Sequence, residues 1–384
     1  MGKTDIGVFD NLNRLIRFGS KGEILDIDRD AVQAQVARMT HAPLRAELSR
    51  CIAAGTFADN RLIASSDYLR ASGLMAAMLS TPYIKDRQDR RVITIQAFEF
   101  SDLGALSGLR TAYPAPDVRP VAVGNATTEI GDIRRFVAVF PDSVVGDLPQ
   151  GYTDGFYFCG KFVEAYDAAI CPLLDLLWSD ASFIAVRAAS NEDLHNAAAI
   201  WVHLHEYFHC SAILPIAEFG HVKGTRLAGA FEELRVDLGA MLADLAGAVG
   251  PRMAAIVFEF ILAFRLIYYG SSFDPVRDYD AVSSVALSNV LEETGCILCD
   301  TDGCYIFPAC DVLRKGLAGL FDQLTEAEAD LSRRLRAHGG GRDRQCSLRV
   351  EIEDLMRSLG KADAGAPMHR GPFHDRHNGG LQAV

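Results

Sequence analysis

Two histidines four residues apart stand near the middle of the chain, in the segment 201–209 (WVHLHEYFH). In a helix, residues i and i+4 share a face, so His205 and His209 can direct both imidazoles at one ion. With a glutamate after the first histidine, they form the H-E-x-x-H pattern of catalytic zinc sites. Glu206 is then the expected general base, because it can reach a water molecule that the metal activates. The alternative is an ordinary helix with two surface histidines.

A catalytic zinc needs a third protein ligand and an open position. Glu233 follows His209 by 24 residues, which leaves room for a loop and a second helix returning beside the first. Asp237 lies four residues further, on the same face, and is expected to accept the free N–H of a ligating histidine. Carboxylates in so apolar a helix are costly to bury unless they are paired or bound to a metal. The alternative is a solvated stripe of Glu232, Glu233, Arg235 and Asp237.

The two motifs together resemble the gluzincin metallopeptidases, in which H-E-x-x-H is followed by E-x-x-x-D on a second helix. The string 232–237 (EELRVD) is most similar to the dipeptidyl-peptidase-III family, whose Glu-Glu-x-Arg-x-acid segment binds zinc through its second glutamate. The resemblance extends over residues 195–310. It implies that Glu233 binds one catalytic Zn²⁺, that Asp237 and Glu232 lie behind the ligands, and that Arg235 is structural or orients substrate.

Two features depart from that family. Its members carry one more residue between the histidines, H-E-x-x-x-H, and they are much longer than 384 residues. The resemblance therefore predicts the metal site better than it predicts the substrate. A bacterial branch that serves a specialised metabolic pathway would fit this pattern.

A further polar group is expected near the metal, because such enzymes stabilise a developing oxyanion. The candidates are His221 in the loop between the two helices, and Tyr268, Tyr269 and Arg265 further along the chain. Core packing is the alternative for each of them. His203 points to a different face of its helix from His205 and is expected to be a packed or surface histidine.

Four cysteines lie close together in the sequence, at Cys296, Cys299, Cys304 and Cys310. They form either a second zinc site with irregular spacing or thiols that flank the turn of a hairpin. The chain has nine cysteines, an odd number, and its first residues contain no apolar signal core. These features predict reduced thiols and a cytoplasmic location.

The composition limits the class of partner. Of the 384 residues, 49% are hydrophobic and 23% charged, which is typical of a soluble globular chain with one large core or two ordinary ones. The formal net charge of −12 argues against nucleic acid and anionic membranes as partners. Residues 253–269 are the longest apolar region, but Glu259 and Arg265 interrupt it, so no membrane span is expected. The oligomeric state stays open.

Hydrophobic periodicity predicts an α+β chain. Residues 1–150 are predicted to form a mixed α/β N-terminal domain, 151–337 a mainly helical, zinc-metallopeptidase-like catalytic domain, and 338–384 a linker, a short helix and a disordered tail. The N-terminal domain should contain helices and then strands, at 30–39, 44–54 and 65–79 and at 91–100, 118–123 and 135–140 respectively.

The catalytic domain should contain helices at 159–178, 225–249, 253–268, 281–294 and 325–337. A long helix capped by Ser190 or Asn191 should carry the histidines. A short strand at 182–187 should precede that helix and could bind an extended substrate as an added strand.

The sequence thus predicts a zinc-dependent hydrolase that cleaves a peptide or a small amide-type substrate, with Glu206 as general base. One alternative is a metalloenzyme of another class, a lyase, a cyclase or an oxidative enzyme, that uses the same His/His/Glu site on a specialised metabolite. Another is a binding protein that has lost turnover, although an intact Glu206 argues against it.

Overall fold

The computed structural model describes residues 3–19, 21–57, 74–79, 93–100, 106–114, 119–126, 138–139, 154–214, 222–272, 275, 277–301, 303–338 and 342–361. The chain forms two compact units. The first consists of Met1–Gly104 and Asp117–Phe162, and the second of Ala105–Pro116 and Val163–Val384.

The first unit begins with three helices around an apolar core. They are α1 (Lys3–Leu15), α2 (Arg29–Ala37) and α3 (Ala42–Ala54), and a two-stranded antiparallel ribbon of β1 (Ile16–Phe18) and β2 (Ile24–Ile27) joins α1 to α2. The helices predicted at 30–39 and 44–54 are confirmed. Their inward side chains bury one continuous cluster that includes Phe9, Leu12, Val32 and Leu48, and Phe57 joins it from the chain after α3.

A five-stranded sheet completes this unit. Its strands are β3 (Leu74–Leu79), β4 (Thr94–Phe100), β5 (Arg119–Ala126), β6 (Ala138–Val139) and β7 (Asp154–Phe158). The strand order is β3-β4-β5-β7-β6, with β5 and β7 parallel and the other pairs antiparallel. The strand predictions at 91–100, 118–123 and 135–140 are confirmed for the residues that the structure describes.

The helix predicted at 65–79 is wrong where the structure describes it. Residues 74–79 pair with β4 in unbroken antiparallel register, from Leu74 opposite Glu99 to Leu79 opposite Thr94. The string LMAAML is rich in helix formers. Pairing with the neighbouring strand supplies a ladder of hydrogen bonds, which outweighs this local preference for helix. Residues 65–73 lie outside the described part of the chain.

Apart from the helix at 106–112, the remaining elements begin at residue 159 and are mainly helical. The helices are α4 (Leu106–Ala112), α5 (Cys159–Ala165), α6 (Cys171–Leu177), α7 (Ile184–Arg187), α8 (Asn191–Cys210), α9 (Arg226–Leu242), α10 (Ala246–Val249), α11 (Pro251–Ala263), α12 (Tyr269–Ser272), α13 (Tyr279–Glu293), α14 (Cys310–His338) and α15 (Arg342–Leu359). Single π-helical turns at Tyr166–Ile170 and Phe264–Tyr268 interrupt two helical stretches. A small hairpin of β8 (Leu298–Cys299) and β9 (Tyr305–Ile306) precedes α14. The predicted α+β class, mixed first and mainly helical later, is therefore confirmed.

Helix α8 starts with a reciprocal capping box. The Ser190 side chain accepts from the backbone N–H of Asp193, and the Asp193 carboxylate accepts from the backbone N–H of Ser190 at 2.9 Å. This arrangement satisfies donors that the first turn of a helix leaves unpaired. Beyond the first turns α8 is buried almost all round, which marks it as a core helix.

Helix α9 is the centre of the second unit. It packs against α8, α11, α13, α14 and α15, and its interior positions are nearly all buried. Gly239 permits the close approach to α8, because a Cβ at that position would lie 2.7 Å from the ring of Phe208. The two helices that carry the candidate ligands are therefore held side by side by close packing.

The strand predicted at 182–187 is wrong. Phe183 has a φ of 59°, and the next four residues form α7. The Glu259 carboxylate accepts from the backbone N–H of Val186 at 2.9 Å, which replaces the partner that a sheet would have supplied. The added strand proposed for an extended substrate is therefore not available at this segment.

Of the segment 338–344, predicted to be a linker, residues 338 and 342–344 are helical instead. Helix α14 continues to His338 and α15 begins at Arg342, and residues 339–341 lie outside the described part of the chain. Helix α15 packs against α9 and α13, and it is thus part of the second unit. The tail at 362–384 lies outside the described residues.

One stretch in the described part of the chain, Pro251–Ser271, is long and apolar enough by composition to cross a membrane. Within the structure 61% of its most apolar window is buried against the rest of the protein. Such burial is typical of a core helix.

Candidate metal centre

The side chains of His205, His209 and Glu233 converge between α8 and α9. The Nε2 atoms of the two histidines lie 2.9 Å apart. The Glu233 carboxylate lies 3.4 Å from Nε2 of His205 and 3.7 Å from Nε2 of His209. Ligands at zinc bond lengths of 2.0–2.1 Å around a tetrahedral ion stand about 3.3 Å apart, so these spacings suit one ion. Among the described residues this is the one group of three or more such side chains that could hold a metal.

Each histidine is fixed through its other nitrogen. Nδ1 of His205 lies 2.8 Å from the Asp237 carboxylate, and Nδ1 of His209 lies 3.0 Å from the Glu232 carboxylate. Because the Nδ1 of each histidine faces a carboxylate, both imidazoles direct Nε2 at the same point. Two Nε2 atoms 2.9 Å apart need a positive charge between them, either a proton on one ring or a metal cation. The donor set therefore fits a resident cation such as zinc.

The charges around His205 also favour a cation at this site. Burial disfavours a charged imidazole, but Asp237 and Glu233 outweigh it, and Glu206 adds to them. Together they raise the pKa of His205 to about 9. The carboxylates that favour an imidazolium also favour any other cation at this point.

Asp237 is completely buried and accepts from three donors. They are Nε1 of Trp201 at 2.7 Å, Nδ1 of His205 and Nε of Arg265. Burial alone would raise the pKa of Asp237, but Arg265 and His205 hold it well below its usual range. The carboxylate is therefore ionised, and its many donors hold it in a single position behind His205.

Arg265 is supplied by the π-helical turn Phe264–Tyr268 and is 1% exposed. Besides Asp237, its guanidinium donates to the Asp280 carboxylate at 2.7 Å and to the Ser283 hydroxyl at 2.8 Å. It also stacks on the ring of Tyr269, with 4.9 Å to the ring centroid. Burial raises the pKa of Asp280 to about 7, although Arg265 opposes that shift. Arg265 thus connects the carboxylate behind His205 to α13.

Behind His209 lies a second group of charges, which we call the buried quartet: Lys223, Glu232, Arg235 and Glu328. Nζ of Lys223 lies 2.6 Å from Glu232 and 2.8 Å from Glu328. A guanidinium nitrogen of Arg235 lies 2.7 Å from Glu232. All four are at most 4% exposed. Burial alone would raise the pKa of Glu232, but His209, Arg235 and Lys223 hold it well below its usual range.

Glu206 follows His205 on α8 and is 6% exposed. Its charge acts on the His205 imidazole, which places the predicted general base within electrostatic range of the metal centre. Tyr268 and Tyr269, predicted as oxyanion or substrate contacts, are half-buried, and burial raises the pKa of both phenols. Tyr269 lies against Arg265, and Tyr268 lies against Tyr269. His221 lies outside the described residues.

His203 and the cysteines lie apart from this centre. His203 is 2% exposed, and its Nε2 lies 2.6 Å from the Tyr113 carbonyl oxygen. Cys296 is buried and its Sγ donates to the Val312 carbonyl, whereas Cys299 and Cys310 are exposed. In the part of the chain that the structure describes, the metal-capable group contains no cysteine.

Several residues of the site had no signal in the sequence analysis. They are Trp201, Lys223, Asp280, Ser283 and Glu328. Trp201 lies four residues before His205, and that spacing alone could have placed it on the same face of α8. The others come from α13, α14 and the segment before α9, and only the tertiary fold brings them to the ligands.

No protein-family profile and no curated protein matches this chain. Among solved structures, it is similar to dipeptidyl-peptidase III from Caldithrix abyssi, with a TM-score of 0.52 and 12% sequence identity over 91% of this chain and 70% of that one. It also matches dipeptidyl-peptidase III from Corallococcus sp. strain EGB, with a TM-score of 0.46 and 12% identity over 90% of this chain and 73% of that one. The first likeness shows that the chain shares its fold with a dipeptidyl-peptidase III.

Proposed function

We propose that this protein is a zinc-dependent hydrolase that cleaves a peptide or a small amide-type substrate. One observation carries the proposal: two imidazole nitrogens and one carboxylate converge within 4.8 Å of one another, on helices packed side by side. Three protein donors leave a tetrahedral zinc with one open position, which is the arrangement of catalytic rather than structural sites.

The fold supports the choice of substrate class. The Caldithrix abyssi protein with which the chain shares its fold is a dipeptidyl-peptidase by name, so an amide bond is the natural candidate for the reacting group. The proposal extends that activity to this chain on the strength of the His/His/Glu group, since fold alone does not determine function.

Each residue of the centre would have a separate role. His205, His209 and Glu233 would hold the ion, which when bound would activate water and polarise the substrate carbonyl. Glu206 would take a proton from the attacking water and return it to the leaving amine. Asp237 and Glu232 would keep both imidazoles in the tautomer that presents Nε2.

The test replaces Glu206 by glutamine and follows hydrolysis of a mixture of short unmodified peptides by mass spectrometry. Glu206→Gln should keep its zinc but lose about 10²–10⁴-fold in turnover, because general base catalysis contributes that much. Glu192→Gln, an exposed site in the first turn of the same helix, is the matched control and should stay active.

Two results would overturn the proposal. One is a Glu206→Gln variant that hydrolyses peptides as fast as the wild type. The other is a zinc-loaded wild type that cleaves no amide bond. Stoichiometric iron in the natively purified protein would instead support the alternative of a lyase, a cyclase or an oxidative enzyme that uses the same site.

A further inference from the structure

The buried quartet links the metal centre to a helix far along the chain. Glu232 holds Nδ1 of His209, and it is also contacted by two cations, Lys223 and Arg235. Glu328 reaches the same cations from α14, at 2.8 Å from Lys223 and 3.7 Å from Arg235. The group therefore contains two positive and two negative charges, all removed from water.

This balance of charge matters because Glu232 must accept a hydrogen bond from His209. A carboxylate bound by two cations alone is a weak acceptor for a third donor, and the cations would carry an uncompensated buried charge. Glu328 shares both cations, which leaves Glu232 enough negative charge to accept from His209. The strength of His209 as a metal ligand depends in turn on that hydrogen bond.

Glu328 also holds the chain that follows His209. Its carboxylate accepts from the backbone N–H groups of Ile213 and Leu214, each at 3.3 Å, just beyond the end of α8. Arg235 donates to the Phe208 carbonyl oxygen at 3.0 Å, within the last turn of α8. The charges that surround Glu232 thus also fix the helix end from which His209 projects.

We propose that Glu328 is a positioning residue of the metal centre, which balances Lys223 and Arg235 so that Glu232 can hold His209. The inference rests on the proposed zinc site and adds to it a residue that touches neither metal nor substrate. Glu328 lies 95 positions beyond Glu233 in the sequence, and among the described residues its contacts lead to the ligands through the quartet and the end of α8.

The experiment compares Glu328→Gln with Glu326→Gln, an exposed site two residues away on the same helix. Zinc affinity is measured by competition with a chelator, and the ligand field by the visible absorption of the Co²⁺-loaded protein. Glu328→Gln should bind zinc at least about tenfold more weakly and shift the Co²⁺ bands, as expected when a partner behind a ligand is lost. Glu326→Gln should match the wild type in both.

A charge-balanced variant separates positioning from loss of fold. Glu328→Gln leaves one excess positive charge in the quartet, and adding Lys223→Met removes it. The double variant should regain zinc affinity and the wild-type Co²⁺ spectrum, a non-additive result that a lost packing contact would not give. The double variant also tests the proposal if Glu328→Gln alone does not fold.

The outcomes for the two proposals are distinct. A wild type that fails to bind zinc would overturn the proposed function, and this inference with it. If the wild type binds zinc and Glu328→Gln binds it equally well, only the role of Glu328 is refuted. A double variant that stays as weak as the single one would likewise refute the charge-balance argument.

Discussion

At the scale of single residues, the metal centre is organised by what lies behind the ligands. His205 and His209 could point in many directions on an exposed helix, but Asp237 and Glu232 fix each ring through Nδ1. Asp237 is in turn held by Trp201 and Arg265. Such partners set the tautomer and basicity of the imidazole, so the site depends on them nearly as much as on the ligands.

Replacing Asp237 by asparagine tests this dependence. The amide keeps the size of the side chain but removes the charge that His205 and Arg265 both use. Zinc affinity should fall about 10–100-fold, the usual cost of losing such a partner. The measurement is competition with a chelator, with Asp322→Asn, an exposed site on α14, as the control. Wild-type affinity in Asp237→Asn would contradict the role assigned to this carboxylate.

At the scale of elements, the helix pair α8 and α9 could be predicted from sequence because its signals are local. The Ser190 cap, the i and i+4 spacing of His205 and His209, and the same spacing of Glu233 and Asp237 all follow from helix geometry. These local rules place the candidate ligands on one face of each helix before any tertiary contact is known.

The elements that could not be predicted depend on distant partners. Strand β3 exists because β4 pairs with it, and α7 because Glu259 satisfies its N-terminal amides. The π-helical turn that carries Arg265 has no sequence pattern of its own. Glu328 likewise appears as one acid among several on a charged helix until the fold brings it to Lys223.

The contact between α8 and α9 gives a prediction at this scale. In Gly239→Ala, the new methyl group would lie 2.7 Å from the Phe208 ring, which itself contacts Tyr207 and Phe321. Either the Phe208 ring or the two helices must shift, so the protein should lose about 1–3 kcal/mol of stability, measured by urea denaturation.

The matched control is Gly319→Ala on α14. A Cβ at Gly319 would meet nothing within 4 Å, so alanine should be neutral or stabilising by up to about 1 kcal/mol through helix propensity. Equal stability of Gly239→Ala and the wild type would show that α8 and α9 do not need the glycine.

At the scale of the whole molecule, the chain shares its fold with a dipeptidyl-peptidase III while matching 70% of that chain's length. The α+β class and the helical character of the second unit follow from periodicity. The substrate cannot be predicted in this way, because specificity depends on side chains around a site rather than on fold. The fold likeness shows the fold alone. The amide hydrolysis proposed above rests on the His/His/Glu group.

The central claim is that one zinc ion binds between α8 and α9. The most direct test is an anomalous difference map from crystals of the zinc-loaded protein, with data collected at the zinc absorption edge. The account predicts one peak per chain, about 2.0–2.2 Å from Nε2 of His205, Nε2 of His209 and a carboxylate oxygen of Glu233. A map with no peak among these three side chains, or with the zinc bound elsewhere in the chain, would contradict it.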